Sequence, residues 1–408
     1  MGINHKIIGL ILKISFIFLS CSRVEKQSFI SEKDGLEVIK IDLSEAKEGK
    51  LSEFFEPEVE YIWLKDDSEA AQLNAGIQKI IFHGDKIFTL DIFGCKCIHV
   101  FDRLGNYLSK IRAYGEGPEK YLDFDNAIIV NEEILLLGVY PPKLMWFSLD
   151  GKFLREEKLK KHVGSGIYSE KENRYYFYSN TRDSEEFFVR SVNENFQDST
   201  AFLPFQERGY YGSFSGRNNF LNFRGEVFFG MAFQDTIWKG KDGKLIPTLA
   251  FDFGKYAQSM DEMKLIEEQH DALQRLDFIN KRAKLYFVPH QWFLTESLFY
   301  SGFKYEEAFF NVFFDRKTQE NHVIKGRIEN DLDGGFDSYS LLYRFNDNMV
   351  GEKYPGKDLF KLIQKKKESL SQKAFEDYIK GKGNELGKVA IAAKDSENPV
   401  LIVYTVKE

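Results

Sequence analysis

Three stretches of this chain carry side chains whose types and spacing suit chemistry. Cys95 and Cys97 stand two apart at the start of a strand-like run, so both point to the same side and offer a pair of soft ligands. A pair without further ligands reads first as two thiols near a turn, either free or bridged to each other. Asp331, Asp333 and Asp337 surround Gly334-Gly335 in a short loop, a carboxylate set that suits a hard cation such as calcium. That loop lacks the third oxygen ligand and the glycine that an EF-hand wants at its fifth and sixth positions. It therefore reads first as a structural turn, with calcium as the alternative. Gly115-Glu116-Gly117-Pro118 has the glycines of a phosphate loop without the following helix and lysine. Gly212-Ser213-Phe214-Ser215-Gly216 has phenylalanine where a nucleophile elbow centres its serine. No HExxH helix occurs, and His83, His99, His162, His270, His290 and His322 are scattered without ligand spacing. The sequence thus shows no catalytic constellation, and no cofactor is expected apart from the calcium alternative.

The elements that must position these residues repeat along the chain. From Ile77 to Pro118, four short apolar runs, IQKIIFH, KIFTLD, KCIHVFD and YLSKIRAY, are separated by Gly84-Asp85, Phe93-Gly94 and Leu104-Gly105-Asn106. Runs rich in Ile, Phe, Val and Tyr and bounded by Gly, Asp and Asn are strands joined by hairpins. The same layout returns over residues 126–159, 166–205 and 218–254, with an Asp-Gly turn before the last strand of the second and fourth copies. It returns again from 287 to 328 and ends on PVLIVYTV at 399–406. Many runs are apolar at consecutive positions, as sheets buried on both faces require. Two stretches switch to helical period, about 259–284, where Ser259 and Glu262 make a capping box, and about 358–380.

These copies predict an all-β, six-bladed propeller of four-stranded antiparallel blades occupying residues 36–408 as one domain, with two helical insertions. LEVIKIDL and VEYIWLK near the N-terminus lack three partners of their own, so an N-terminal strand is expected to complete the last blade and remove the open edge. In such a ring, the connections between blades and the loops between second and third strands share one rim. Tyr114, Tyr140, Arg182, Tyr210, Tyr211, Arg217 and Tyr305 fall on it. Aromatics with arginine suit sugar rings, peptide segments or carboxylates. Because the turns of the first copy recur where no chemistry is present, its Cys-x-Cys and GEGP read as punctuation of the fold.

Residues 1–20 carry Lys6 and Lys13, no acid, and an apolar core, the pattern of a secretory signal peptide. Phe18-Leu19-Ser20-Cys21 resembles a bacterial lipobox, which makes Cys21 the expected acylated first residue of the mature chain and 21–35 a flexible tether. Removing the signal takes away two lysines and no acid, so the net charge of −7 becomes −9. A chain this acidic, with no basic stripe, is not expected to bind nucleic acid.

The pieces LSCS (19–22), EYIWLK (60–65), KIIFHGDKIFTLD (79–91), IHVFDRLGNYLSKIRAYGEGPEKY (98–121), AFQDTIWKG (232–240) and DLDGG (331–335) resemble a family of Bacteroidota lipoproteins. That family is described as six-bladed β-propellers related to NHL-repeat propellers. The resemblance implies the fold and a cell-envelope address at the outer membrane, and implies little about activity. Two functional readings follow from the sequence. The first is a lipid-anchored module that binds a glycan, another ligand or a protein partner. The alternative is an envelope hydrolase or lyase acting on glycans or lactones from the central channel, which rests on fold analogy alone.

Overall fold

The computed structural model describes residues 30–33, 36–74, 76–179, 187–204, 219–232, 234–257, single positions between 261 and 277, 285–339 and 343–408. Six sheets succeed one another along the chain, each a blade. Blade 1 comprises Lys79–His83, Lys86–Asp91, Cys97–Asp102 and Tyr107–Ile111, and blade 2 comprises Asp123–Val130, Glu133–Tyr140, Lys143–Ser148 and Phe153–Lys158. Blade 3 is built from Ser165–Ser169, Arg174–Tyr178, Phe187–Asn193 and Ser199–Pro204, and blade 4 from Phe220–Phe223, Glu226–Phe229, Thr236–Lys241 and Lys244–Asp252. Blade 5 takes Leu285–Leu294, Leu298–Tyr305, Ala308–Asp315 and Glu320–Glu329. Within each blade the consecutive strands pair antiparallel.

Local chemistry fixes the hairpins. In blade 1 the Asp102 carboxylate accepts the backbone N–H groups of Leu104 (2.9 Å) and Asn106 (2.8 Å), which folds the turn back on itself. Gly105 closes that turn at φ +77°, and a Cβ there would stand 1.8 Å from the Trp63 carbonyl oxygen. Only glycine meets both demands. The middle strands are buried on both faces, as Lys143–Ser148 shows with five consecutive buried residues, whereas the outer strand Phe153–Lys158 has no buried residue.

The N-terminal segment is the unusual part of the ring. Strand β1 (Ile30–Lys33) pairs antiparallel with β2 (Leu36–Lys40), and β2 adds in parallel to the outer strand of blade 4. Strand β3 (Lys47–Lys50) adds in parallel to the outer strand of blade 5. Strand β4 (Phe55–Trp63) is the antiparallel outer strand of blade 6, beside Pro399–Val406, Met349–Pro355 and Tyr343–Arg344. The expected ring closure is present, and one segment covers the edges of three successive blades. The span expected as a tether, 21–35, overlaps this strap. Ile30–Lys33 is a strand because β2 has a free edge that a hairpin satisfies. The signal segment and Cys21 lie outside the described residues.

Apolar clusters lie between blades. Phe88, Leu90 and Ile98 meet Phe124, Ile134 and Leu136 between blades 1 and 2. Leu135, Leu137 and Trp146 meet Tyr175 and Phe177 between blades 2 and 3. Tyr176 and Phe188 meet Phe229 and Trp238 between blades 3 and 4. The largest cluster joins blades 4, 5 and 6 to Ile39, Leu51, Phe54 and Phe55 of the strap. Phe345, Leu401 and Val403 of blade 6 pack on Ile80, Ile87 and Phe101 of blade 1, which completes the circle. Phe54 stacks on Phe313 with ring centroids 3.8 Å apart. The abundance of aromatic residues is thus spent on filling wedges between twisted sheets.

The helical insertion expected at about 358–380 is longer. Helices α1 (Gly356–Ser369), α2 (Gln372–Lys380) and α3 (Asn384–Ala392) lie between the second and third strands of blade 6. Leu359 and Ile363 of α1 pack against Leu386 and Ala390 of α3 and against Val400. The segment 384–392 carries a glycine and two alanines that blur its period, yet Ala390 packs against α1 and a Cβ on Gly387 would stand 3.0 Å from Ile379 of α2. In the other insertion, Asp261, Lys264, Leu265, Leu273, Gln274 and Asp277 are helical, while Ser259 and Glu262 of the expected capping box lie outside the described residues. Among the described residues no helix is long and apolar enough to cross a membrane.

Candidate functional site

Each blade begins with its innermost strand, so the six inner strands converge on a central channel. A cavity of about 360 Å³ lies there, lined by inner-strand residues of all six blades, among them Lys79, Ile128, Gly166, Leu221, Trp292 and Arg344. Glu170, Asn222, Asn346 and Asp347 also line it. These four lie at the C-terminal ends of inner strands, on the face opposite the connections between blades. The volume falls in the range of a small-ligand site.

Two cations face this cavity and differ in their company. Arg344 is held by the Asp347 carboxylate and donates to the Asn222 carbonyl at 2.6 Å, so its charge is answered locally. Burial lowers its pKa, and Asp347 opposes that shift. The Lys79 ammonium donates to Asn126 Oδ1 (3.0 Å) and to the Ala127 carbonyl (3.2 Å), both neutral. Among the described residues no carboxylate pairs with it. Burial lowers it to about 8. A half-buried ammonium with only neutral acceptors gains from a ligand that supplies the opposite charge. Lys79 reads in sequence as an ordinary first residue of a strand, because its partners come from blade 2.

The rim residues are scattered. Tyr114 is exposed, with Arg112 5.0 Å and Lys96 5.5 Å from its ring centre. Tyr140 is also exposed, and its carbonyl accepts the Leu122 N–H at 3.0 Å. Tyr114 bridges Tyr121, so these two rim tyrosines flank one corner between blades 1 and 2. Tyr305 is half-buried and packs edge-on against Tyr256 at 5.3 Å, beside blade 5. None of the three lines the central cavity. Arg182, Tyr210, Tyr211 and Arg217 lie outside the described residues.

Cys95 and Cys97 form a disulfide at the loop between the second and third strands of blade 1, on the same rim as Tyr114. His99, buried two residues on, has its Nδ1 3.7 Å from Cys97 Sγ. Burial, and then the facing Lys110, push the imidazole down to about 4, so it stands neutral at ordinary pH. The sequence carries this signal, since alternate residues of a strand share a face.

The acidic loop spreads its carboxylates over separate partners. Asp331 accepts the Ser52 N–H (3.0 Å) and hydroxyl (2.6 Å) of the strap. Asp333 accepts the Tyr61 hydroxyl and the Gly335 N–H, the latter at 2.8 Å. Asp337 accepts the Asn330 N–H (3.0 Å) and pairs with Arg327 (3.2 Å). The loop therefore ties the strap to the start of blade 6. Nearby, Glu352 is buried between blades 5 and 6, and burial pushes its carboxyl up to about 7. Asp337 adds to the rise, and the hydroxyls of Ser338 and Tyr354 oppose it.

Comparison with solved structures finds a Bacteroides fragilis NCTC 9343 protein described as exported, at TM-score 0.69 and 15% identity, covering 91% of this chain and 100% of that one. A member of the DUF4221 family from Bacteroides vulgatus ATCC 8482 matches at TM-score 0.47 and 10% identity, covering 86% and 97%. The first likeness shows the fold. A comparison with curated proteins finds no match. Residues 36–405 match the model described as Domain of unknown function (DUF4934), and that span is nearly the whole ring. The chain belongs to the DUF4934 family.

Proposed function

We propose that this protein is a lipid-anchored, NHL-like propeller of the cell envelope that binds a small anionic ligand, or an acidic group of a larger partner, in its central channel. The observation that carries the binding reading is Lys79, an ammonium in the channel wall whose partners are neutral. An anion entering the cavity supplies the missing charge. The envelope address is supported by the signal-like residues 1–20, by Cys21, and by the structural neighbour described as exported.

The binding reading is tested by thermal unfolding at low salt with acetate, succinate, citrate and phosphate added in turn. At least one of them should raise the midpoint, since a ligand at 100 times its Kd adds about 2.7 kcal/mol. Lys79→Met should fold and lose that rise. No rise with any of the four, or an equal rise in the variant, sinks the reading. For the anchor, Cys21→Ala should move the protein from the membrane to the soluble fraction on ultracentrifugation. Unchanged fractionation would show that Cys21 carries no lipid.

A further inference from the structure

The bridge between Cys95 and Cys97 closes a loop too short to remove much chain entropy, so it is a poor staple for the fold. Its surroundings point elsewhere. One donor atom each from Cys95, Cys97 and His99 lies within 4.8 Å of the others, which makes them the group of three that can hold a metal ion among the described residues. His99 is 1% exposed, and its ring lies beside Cys97 Sγ, with Nδ1 at 3.7 Å and Nε2 at 3.9 Å. Thr89 stands opposite it on the neighbouring strand, and its buried hydroxyl has no hydrogen-bond partner. A buried hydroxyl without a partner thus stands across from the imidazole.

The turn is also held by hydrogen bonds and partly exposed. The Asp91 carboxylate accepts the N–H groups of Gly94 (2.7 Å) and Cys95 (3.0 Å), and the Arg112 guanidinium donates to the Cys95 carbonyl at 3.0 Å. Tyr121 fixes the next residue by donating to the Lys96 carbonyl at 2.8 Å. Cys95 is half-buried, so a reductant reaches it from the rim.

We propose that Cys95, Cys97 and His99 form a redox-gated site for one Cu(I) ion. A dithiol reductant gives two electrons and two protons to the bridge and leaves as its own disulfide. The two resulting thiols lose their protons on binding, and the ion keeps its oxidation state. Two thiolates and one imidazole make a soft three-donor set, which suits Cu(I) better than Zn²⁺ with its demand for four ligands.

The test uses the full chain carrying Cys21→Ala, so that only these two cysteines remain. Reduced with a phosphine and desalted without oxygen, it should take one equivalent of Cu(I) from bathocuproine disulfonate and show a sulfur-to-copper band in the near ultraviolet. The oxidised chain should take none. Cys95→Ser, at the half-exposed turn, and His99→Gln should each weaken uptake at least tenfold, with circular dichroism confirming that the sheets are retained. Cu(I) left with the chelator, equal uptake after Cys95→Ser, or preferential binding of Zn²⁺ overturns the proposal.

Discussion

Asn398→Ala should lower the unfolding free energy by about 3 to 5 kcal/mol, read as a reduced urea midpoint at unchanged slope. Asn398 is 1% exposed and sits where the last strand meets the end of β4. Its Oδ1 accepts the Leu73 N–H at 2.8 Å, and its Nδ2 donates to the carbonyls of Leu64 and Ala71, both at 2.9 Å. One amide thus satisfies three backbone groups of the segment leading into blade 1. Alanine leaves all three without partners in a site closed to water, and each orphan costs about 1 to 3 kcal/mol. The neighbouring Ser396 hydroxyl, which accepts from Asn398 N–H (3.1 Å) and from Trp63 Nε1 (3.1 Å), has its donor committed to Asp66 and cannot replace the amide. Asn398→Asp keeps the acceptor, loses both donors and should be no milder. A loss below about 1 kcal/mol would show that the segment relaxes to find other partners.

Glu352→Gln should stabilise the protein, and the gain should depend on pH. The Glu352 carboxyl titrates near 7 in the fold and near the ordinary carboxylate value when unfolded. Between those values the folded state holds a proton that the unfolded chain has released, so native stability falls as pH rises through the interval. Above it, both states are ionised and the full cost of the buried charge is present. Glutamine is neutral throughout. The variant should therefore match the parent near pH 4, gain through pH 5 to 7, and level off on the order of 3 kcal/mol above pH 8, in urea titrations at each pH. Among the described residues the surrounding groups supply no counter-charge, since the Tyr354 hydroxyl lies 3.4 Å away, Asp337 is acidic, and the buried Tyr300 and Tyr404 are neutral. A gain independent of pH would assign the effect to packing instead.

Much of the ring was legible because its information is local. Asp102 to Gly105 and the Asp242-Gly243 turn sit between apolar runs and declare their hairpins without reference to anything distant. Even ring closure was readable, since β4 had no neighbours in sequence to pair with. The site was less legible because its meaning depends on closure. Lys79 is unusual only once Asn126 of the next blade is beside it, and no spacing rule carries that fact. Tyr114 does not line the cavity, because its ring packs against Arg112 and Lys96 at a corner between blades 1 and 2. The case of His99 is different. Its place beside Cys97 follows from strand alternation, which puts residues two apart on one face.

The strap has a consequence for how the chain is made. Glu37 pairs with Leu249, Lys47 with Ile324, and Trp63 with Val400, so strands made before the rest of the ring wait for partners made much later. Until then three edges with unpaired amides travel with the growing polypeptide, open to pairing with other chains. Contacts this distant in sequence make folding slow, because closure of the longest loops precedes any reward from them. The C-terminal strand that pairs with β4 therefore acts as the committing step of assembly, and a chain halted before residue 399 is an open ring with an adhesive rim.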